Sequence, residues 1–147
     1  MVETSVIVSI SGGKDSTASA LYLRERGIPY KAIHLDTGWE HPLTEEYVRH
    51  VLPTHIGPIE IIEPEYKMAD LILHKGMFPS RLGRFCTQQL KVYPFMQWIE
   101  DNCAYKPINV VGIRRDESKA RSKLEEYEDQ EFALVWRPLI DWTVQDV

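Results

Sequence analysis

Residues 5–22 read Ser-Val-Ile-Val-Ser-Ile-Ser-Gly-Gly-Lys-Asp-Ser-Thr-Ala-Ser-Ala-Leu-Tyr. An apolar, β-branched run stops at a glycine pair, and apolar residues then return at helical spacing, so the stretch reads as strand, tight turn and helix. Gly12 and Gly13 can take conformations closed to residues with a Cβ, which lets successive backbone N–H groups converge on one oxygen. A helix beginning near Ser16 adds unpaired N–H groups and a partial charge of about +0.5. The hydroxyls of Ser11, Ser16 and Thr17 and the ammonium of Lys14 complete a cradle for an anion. Asp15 is the odd member: a carboxylate beside phosphate is repelled unless a metal bridges the two or the side chain is occupied in capping the helix. The alternative is a plain glycine loop with Asp15 or Ser16 as N-cap.

Outward from this turn, further strands are expected at Tyr30–Leu35, Ile59–Ile62, Ile108–Ile113 and Phe132–Trp136, beside the first at Ser5–Ile10. Helical patterns lie between them: Thr17–Arg26, Leu43–His55 with Pro42 in its first turn, Tyr66–Lys75, and Thr87–Asn102 divided or kinked at Pro94. Alternating strands and helices imply right-handed crossovers, and hence an α/β fold: a Rossmann-like, doubly wound, mainly parallel five-stranded sheet with helices on both faces. The acidic stretch Glu125–Glu131 reads as a solvated loop or helix face, and Asp141 as the N-cap of a helix that receives barely one turn before Val147.

A chain of 147 residues is of a length for one domain, burying roughly 70% of its unfolded surface. Its 44% hydrophobic and 27% charged residues are ordinary for a globular protein, and no apolar run approaches the roughly 20 residues that span a bilayer. No membrane association is expected. Cys86 and Cys103 show neither metal nor redox spacing, and no secretory leader precedes Val6, so the expected location is cytoplasmic. The five histidines form no ligand pattern and predict no metal site. A net charge of −5 argues against nucleic acid as a partner, yet nine of the seventeen Lys and Arg lie between Arg81 and Lys123. Such a concentration fits a compact anion.

Three further stretches bear on that anion. Asp36-Thr37-Gly38-Trp39-Glu40 follows the second strand, at the carboxyl edge where ligands of open α/β sheets bind; Asp36 can accept from a ribose or an amine, and ordinary turn chemistry is the alternative. Arg81 to Lys91 surrounds a helix start with Arg84 and Lys91 and places Cys86 among cations, conditions that favour thiolate. A small residue tucked under the helix is the other reading of Cys86. Gly112-Ile113-Arg114-Arg115-Asp116-Glu117-Ser118, followed by Arg121, begins where the fourth strand ends. Its arginines can close over an anion, or can pair with Asp116 and Glu117 on a solvated face.

Ser11-Gly12-Gly13-Lys14-Asp15-Ser16 is not a Walker A loop, since Val8 stands where that motif has its first glycine. It matches the PP-loop pattern Ser-Gly-Gly-x-Asp-Ser and resembles the adenine nucleotide alpha hydrolase-like superfamily. With the three stretches above and Trp136-Arg137-Pro138-Leu139-Ile140-Asp141-Trp142-Thr143, the chain resembles the phosphoadenosine phosphosulfate (PAPS) reductase family from Val6 to Val147. The resemblance implies that Ser11, Gly12, Gly13, Lys14, Asp15, Ser16 and Thr17 line the phosphate loop. It implies that Asp36, Thr37 and Gly38 border the nucleoside pocket, and that Arg84, Lys91, Arg114, Arg115 and Arg121 meet sulfate and phosphate.

The expected ligand is thus an adenine nucleotide, PAPS, adenylyl sulfate or ATP, and the expected role is sulfonucleotide reduction with a thioredoxin-like donor or a partner subunit. Reductases of the family attack sulfur with a thiolate from a Glu-Cys-Gly tail motif. No such motif occurs before Val147, so the expectation is a single domain, residues 1–147, short of that tail, with Cys86 as its candidate nucleophile. No covalently bound cofactor is expected, and two cysteines cannot supply a Cys₄ iron–sulfur cluster. Two other functions stay open. Asp36–Gly38 and Gly112–Ser118 are also similar to the small subunit of bacterial ATP sulfurylase, which would make the protein an ATP-dependent adenylyl transferase or pyrophosphatase using Mg²⁺, or a component of nucleic-acid sulfur modification. The third function is a nucleotide-binding module without catalysis.

Overall fold

The computed structural model describes residues 5–36, 41–63 and 93–147. Its strands are β1 (Val6–Ser9), β2 (Lys31–Leu35), β3 (Ile59–Ile62), β4 (Ile108–Val110), β5 (Tyr127–Asp129) and β6 (Leu134–Trp136). They form one sheet in the order β3-β2-β1-β4-β6-β5, parallel throughout except for β5. The chain proceeds from β1 outward through β2 to β3, then returns to the other side of β1 for β4 and β6. The order therefore reverses between β1 and β4, and a crevice opens there at the carboxyl ends of the strands.

Both faces of the sheet are covered, as the doubly wound reading expects. Alternation along β1 and β2 sends Val8 and Ala32 to one face, where Ala20 and Leu23 of helix α1 (Lys14–Glu25) meet Val48, Leu52 and Ile56. Ile7 and Ile33 point to the other face, against Phe95, Trp98 and Ile99 of α4 (Tyr93–Asn102). Each fully buried Leu or Ile of this kind contributes about 1.5–3 kcal/mol by leaving water. The expected helix Tyr66–Lys75 and the first part of Thr87–Asn102 lie outside the described residues.

Four expectations are corrected. The helix after the glycine turn begins at Lys14, with Gly13 as N-cap and no side-chain cap, rather than near Ser16. The expected helix Leu43–His55 is instead α2 (Pro42–Glu46), a π-helical turn (Tyr47–Val51) and α3 (Pro53–Ile56). Pro53 has no N–H and its ring crowds the carbonyl four residues back, so the turn widens and Leu52 N–H reaches Tyr47 O at 2.9 Å. The sheet has a sixth strand because Tyr127–Asp129, read as a solvated acidic segment, pairs antiparallel with β6. Finally, no helix follows Asp141: the chain turns there, with Thr143 N–H donating to Asp146 Oδ2 at 2.9 Å.

The sixth strand has a specific cause. Tyr127 lies opposite Trp136 and stacks on it, with ring planes 4° apart. Buried Arg137 donates through Nη1 to Glu125 O at 2.9 Å and through Nη2 to Glu128 Oε1 at 3.1 Å, closing the hairpin. The outer residues of the strand remain exposed, so only the cross-strand partners reveal it. Among the described residues no helix is long and apolar enough to cross a membrane.

Candidate functional site

The glycine turn sits at the carboxyl end of β1, beside the crevice. Gly12 has φ +93°, a region costly for any residue with a Cβ, and a side chain there would press on Thr44 and Val48. Gly13 has φ −86°, which any residue adopts; it is exposed, and a Cβ would meet only Ser11 Oγ at 3.4 Å. The hydroxyls expected to face an anion brace the turn instead. Ser16 Oγ accepts from Ser11 N–H and donates to Gly13 O, Ser11 Oγ accepts from Gly13 N–H, and Thr17 Oγ1 donates to Gly13 O at 3.0 Å. What remains turned outward is the Lys14 ammonium, 58% exposed, and the first helical turn, where the N–H groups of Lys14 and Asp15 have no partner among the described residues. An anion is the natural complement of such a helix start.

The base of the turn is tied down from β2. His34 is buried, and its Nδ1–H donates to Ile10 O at 2.7 Å, fixing the carbonyl just ahead of Ser11. His34 is thus part of the core beneath the turn. Asp36, buried at the end of β2, accepts from Arg49 Nη2 at 2.9 Å, and Arg49 Nε reaches Glu45 at 3.1 Å. The π-turn thereby holds Asp36 at the ligand edge. Thr37 and Gly38, which the sequence places beside Asp36, lie outside the described residues, as do Arg84, Cys86 and Lys91.

Across the crevice, the segment after β4 comes down onto the turn. A Cβ on Gly112 would lie 2.5 Å from Asp15 C and 2.6 Å from Ser16 N, so only glycine allows this approach. Arg114 follows, buried, and its Nε donates to Asp15 Oδ1 at 3.1 Å. Asp15 does not cap the helix, which has no side-chain cap; its carboxylate binds a guanidinium from the segment after β4. Arg114 lies between carboxylates, with Glu117 Oε1 3.7 Å from Nε and Asp116 Oδ2 3.9 Å from Nη1. Nη1 itself is buried with no hydrogen-bond partner among the described residues.

The other expected cations differ in placement. Arg121, nearly half exposed, pairs with Glu117. Arg115 is directed elsewhere: its Nε donates to Leu124 O at 2.9 Å and its Nη1 pairs with Asp141, bracing the chain after β6. The alternative of arginines pairing with Asp116 and Glu117 therefore describes much of what is seen, except that Arg114 does so while buried. Cys103 is half-buried against the α4 core, and burial pushes its thiol pKa up, away from nucleophilic use. Arg49 and the close-approach role of Gly112 were missed from sequence. A glycine at the end of a strand is a signal for close backbone approach, whereas Arg49 carries no local signal.

Known proteins resemble this chain in sequence and in fold. An uncharacterized 37.8 kDa protein of the gpa 5′ region of Escherichia phage 186 is 29% identical, covering 96% of this chain and 58% of its own length. An uncharacterized nin region protein, ORF290, of Escherichia phage lambda is 24% identical, over 89% of this chain and 58% of its own length. The chain thus spans somewhat over half the length of these curated relatives. Among solved structures, a phosphoadenylyl-sulfate (PAPS) reductase from Candida auris, crystallised as a phosphate complex, superposes with a TM-score of 0.69 at 18% identity, covering 95% of this chain and 68% of its own. That likeness establishes the fold, Rossmann-like and mainly parallel. Residues 5–147 match the model of the phosphoadenosine phosphosulfate reductase domain, and the chain belongs to that family.

Proposed function

We propose that this protein binds an adenine nucleotide with its phosphates at the Ser11–Ser16 turn, as a PP-loop, and acts in sulfonucleotide reduction. The observation that carries the reading is the convergence, at the point where strand order reverses, of a helix N-terminus, the Lys14 ammonium and the Gly112–Arg114 segment. Asp36 borders the nucleoside side, with Thr37 and Gly38; Arg84, Lys91, Arg114 and Arg121 serve the anionic end. In the reduction, a thiolate attacks the sulfonate sulfur, the bond from sulfur to the phosphate oxygen breaks, and the nucleotide leaves with the electron pair. A thioredoxin-like dithiol then becomes a disulfide and frees sulfite. Cys86 is the candidate thiolate within the chain. Charge neutralisation of the departing phosphate is what the turn contributes.

A second reading is favoured by the segment that meets the turn, since Gly112–Ser118 is the stretch also similar to the small subunit of ATP sulfurylase. There the ligand is ATP, Mg²⁺ accompanies its phosphates, and attack falls on the α-phosphate. Titration of the chain with PAPS, adenylyl sulfate and ATP, with and without Mg²⁺, separates the two, and sulfite release reports reduction directly. The control is Gly13→Val. Its backbone is unstrained at φ −86°, so the isopropyl group obstructs the phosphates without unfolding the chain. Nucleotide affinity is expected to fall by at least tenfold with the melting temperature little changed; equal affinity in variant and parent would refute the assignment of the turn.

A further inference from the structure

Arg114 and Arg121 converge on one carboxylate, that of Glu117. Its side chain is only 16% exposed, with Oε1 3.7 Å from Arg114 Nε and Oε2 paired to Arg121. Arg114 Nε is already committed to Asp15 at 3.1 Å, so Glu117 stands beyond hydrogen-bond distance of it and repels the Asp15 carboxylate across the same nitrogen. Arg114 Nη1, on a side chain 5% exposed, has no hydrogen-bond partner at all among the described residues. A buried guanidinium nitrogen left unsatisfied is costly, and the carboxylate nearest to it, Asp116, is 3.9 Å away and mostly exposed. Glu117 thus pairs with Arg121 yet leaves Arg114 without a hydrogen bond to it, whereas a tetrahedral dianion, with more oxygens, could engage both guanidinium groups and the unsatisfied Nη1.

We propose that Glu117 is an internal competitor for the anionic group of the ligand: it occupies the space between Arg114 and Arg121 when the site is empty and is displaced when a sulfate or phosphate group enters. The proposal rests on the reading that the anionic end of a nucleotide is received at this edge of the sheet. It assigns Glu117 a specificity role. A weakly charged ligand cannot displace the carboxylate, whereas a dianion exchanges one negative charge held mainly by Arg121 for one coordinated by both arginines. Asp15 is not displaced, because its contact with Arg114 is a true hydrogen bond at 3.1 Å, whereas Glu117 stands at 3.7 Å.

The test is calorimetric titration of the 147-residue chain with inorganic sulfate, with ATP and with adenosine as the uncharged control, at fixed ionic strength. Glu117→Gln keeps the side-chain shape and removes the charge; Glu117→Ala is the second variant should the first fold poorly, and thermal melts confirm folding. Both are expected to bind sulfate and ATP about three- to fivefold more tightly than the parent, the weight of one partly exposed ion pair. The gain should shrink as salt is raised, and adenosine should not respond. A merely structural Glu117 predicts the opposite, weaker binding of every ligand. If the parent binds ATP and neither variant binds it more tightly, the proposal is overturned while the reading of the glycine turn stands. If no form binds ATP, that reading falls and sulfate decides the proposal alone: tighter binding to the variants supports it, and unchanged, weaker or undetectable binding overturns it.

Discussion

Gly112 illustrates how much of the site hangs on single atoms. It is one of two glycines the site cannot replace, for a different reason from Gly12: its φ is not in the left-handed region, but the space for a Cβ is filled by the Asp15–Ser16 peptide. Gly112→Ala is expected to force the β4 end and the turn apart, destabilising the protein by about 1–3 kcal/mol as overpacking does. The same shift should loosen Arg114 from Asp15, so nucleotide affinity falls with stability. Denaturant melts together with ATP titration check this. Unchanged values in both would mean that the turn and the Gly112 segment are not in contact in solution. Gly13→Val, by contrast, should affect the ligand and spare the fold, and the pair of variants separates binding from architecture.

At the scale of elements, the β5–β6 hairpin depends on a buried arginine. Arg137 links Glu125 O and Glu128 to the strand it terminates, and Glu128 also accepts from Gln130 Nε2 at 2.8 Å. The Gln130 amide first, and then Arg137, hold the Glu128 carboxyl below its ordinary pKa of 4.5. A carboxyl whose pKa is lowered by folding stabilises the native state above its unfolded pKa. That contribution is lost as pH falls through the folded value. The protection of the Tyr127–Asp129 amides, taken as exchange relative to the intrinsic rate at each pH, should therefore fall on acidification below about pH 4.5. In Arg137→Ala it should be low at neutral pH and less dependent on acid. Protection in the variant equal to that of the parent would show that Tyr127 stacking on Trp136 suffices to hold the strand.

Across the whole molecule, the parallel topology sorts chemistry to one edge. The strands β1, β2, β4 and β6 all end at the edge that carries the glycine turn, Asp36 and the Gly112–Arg114 segment. α4 runs the other way and delivers Cys103 just before β4 begins, at the opposite edge, with its thiol pKa raised by burial. Cys86, in the cation-rich stretch, is expected to be alkylated by iodoacetamide well before Cys103 at pH 7.5. Peptide mass spectrometry over a time course measures this, and denaturant should abolish the difference. Faster labelling of Cys103 would remove Cys86 as the candidate thiolate. Arg114, Arg115, Arg121 and Arg137 each meet a carboxylate from elsewhere in the described chain.

The sequence by itself determined the class of fold and the glycine turn between its first strand and first helix. The break from β-branched run to glycine pair to helix is local chemistry, and strands alternating with helices leave few topologies once crossovers are right-handed. What only the tertiary structure decided are relations between distant residues. Asp15 and Arg114 lie 99 positions apart, and no spacing rule announces that the carboxylate of the turn answers the guanidinium after β4. The acidic segment 125–131 looks solvated because most of it is exposed; it becomes a strand only when Trp136 and Arg137 are brought opposite. The helix start at Lys14 lies against Gly112, a contact that a one-dimensional pattern does not contain, whereas the π-turn has a local cause in Pro53. Periodicity reports which face a residue takes, whereas the charge a side chain meets is fixed by which strands become neighbours.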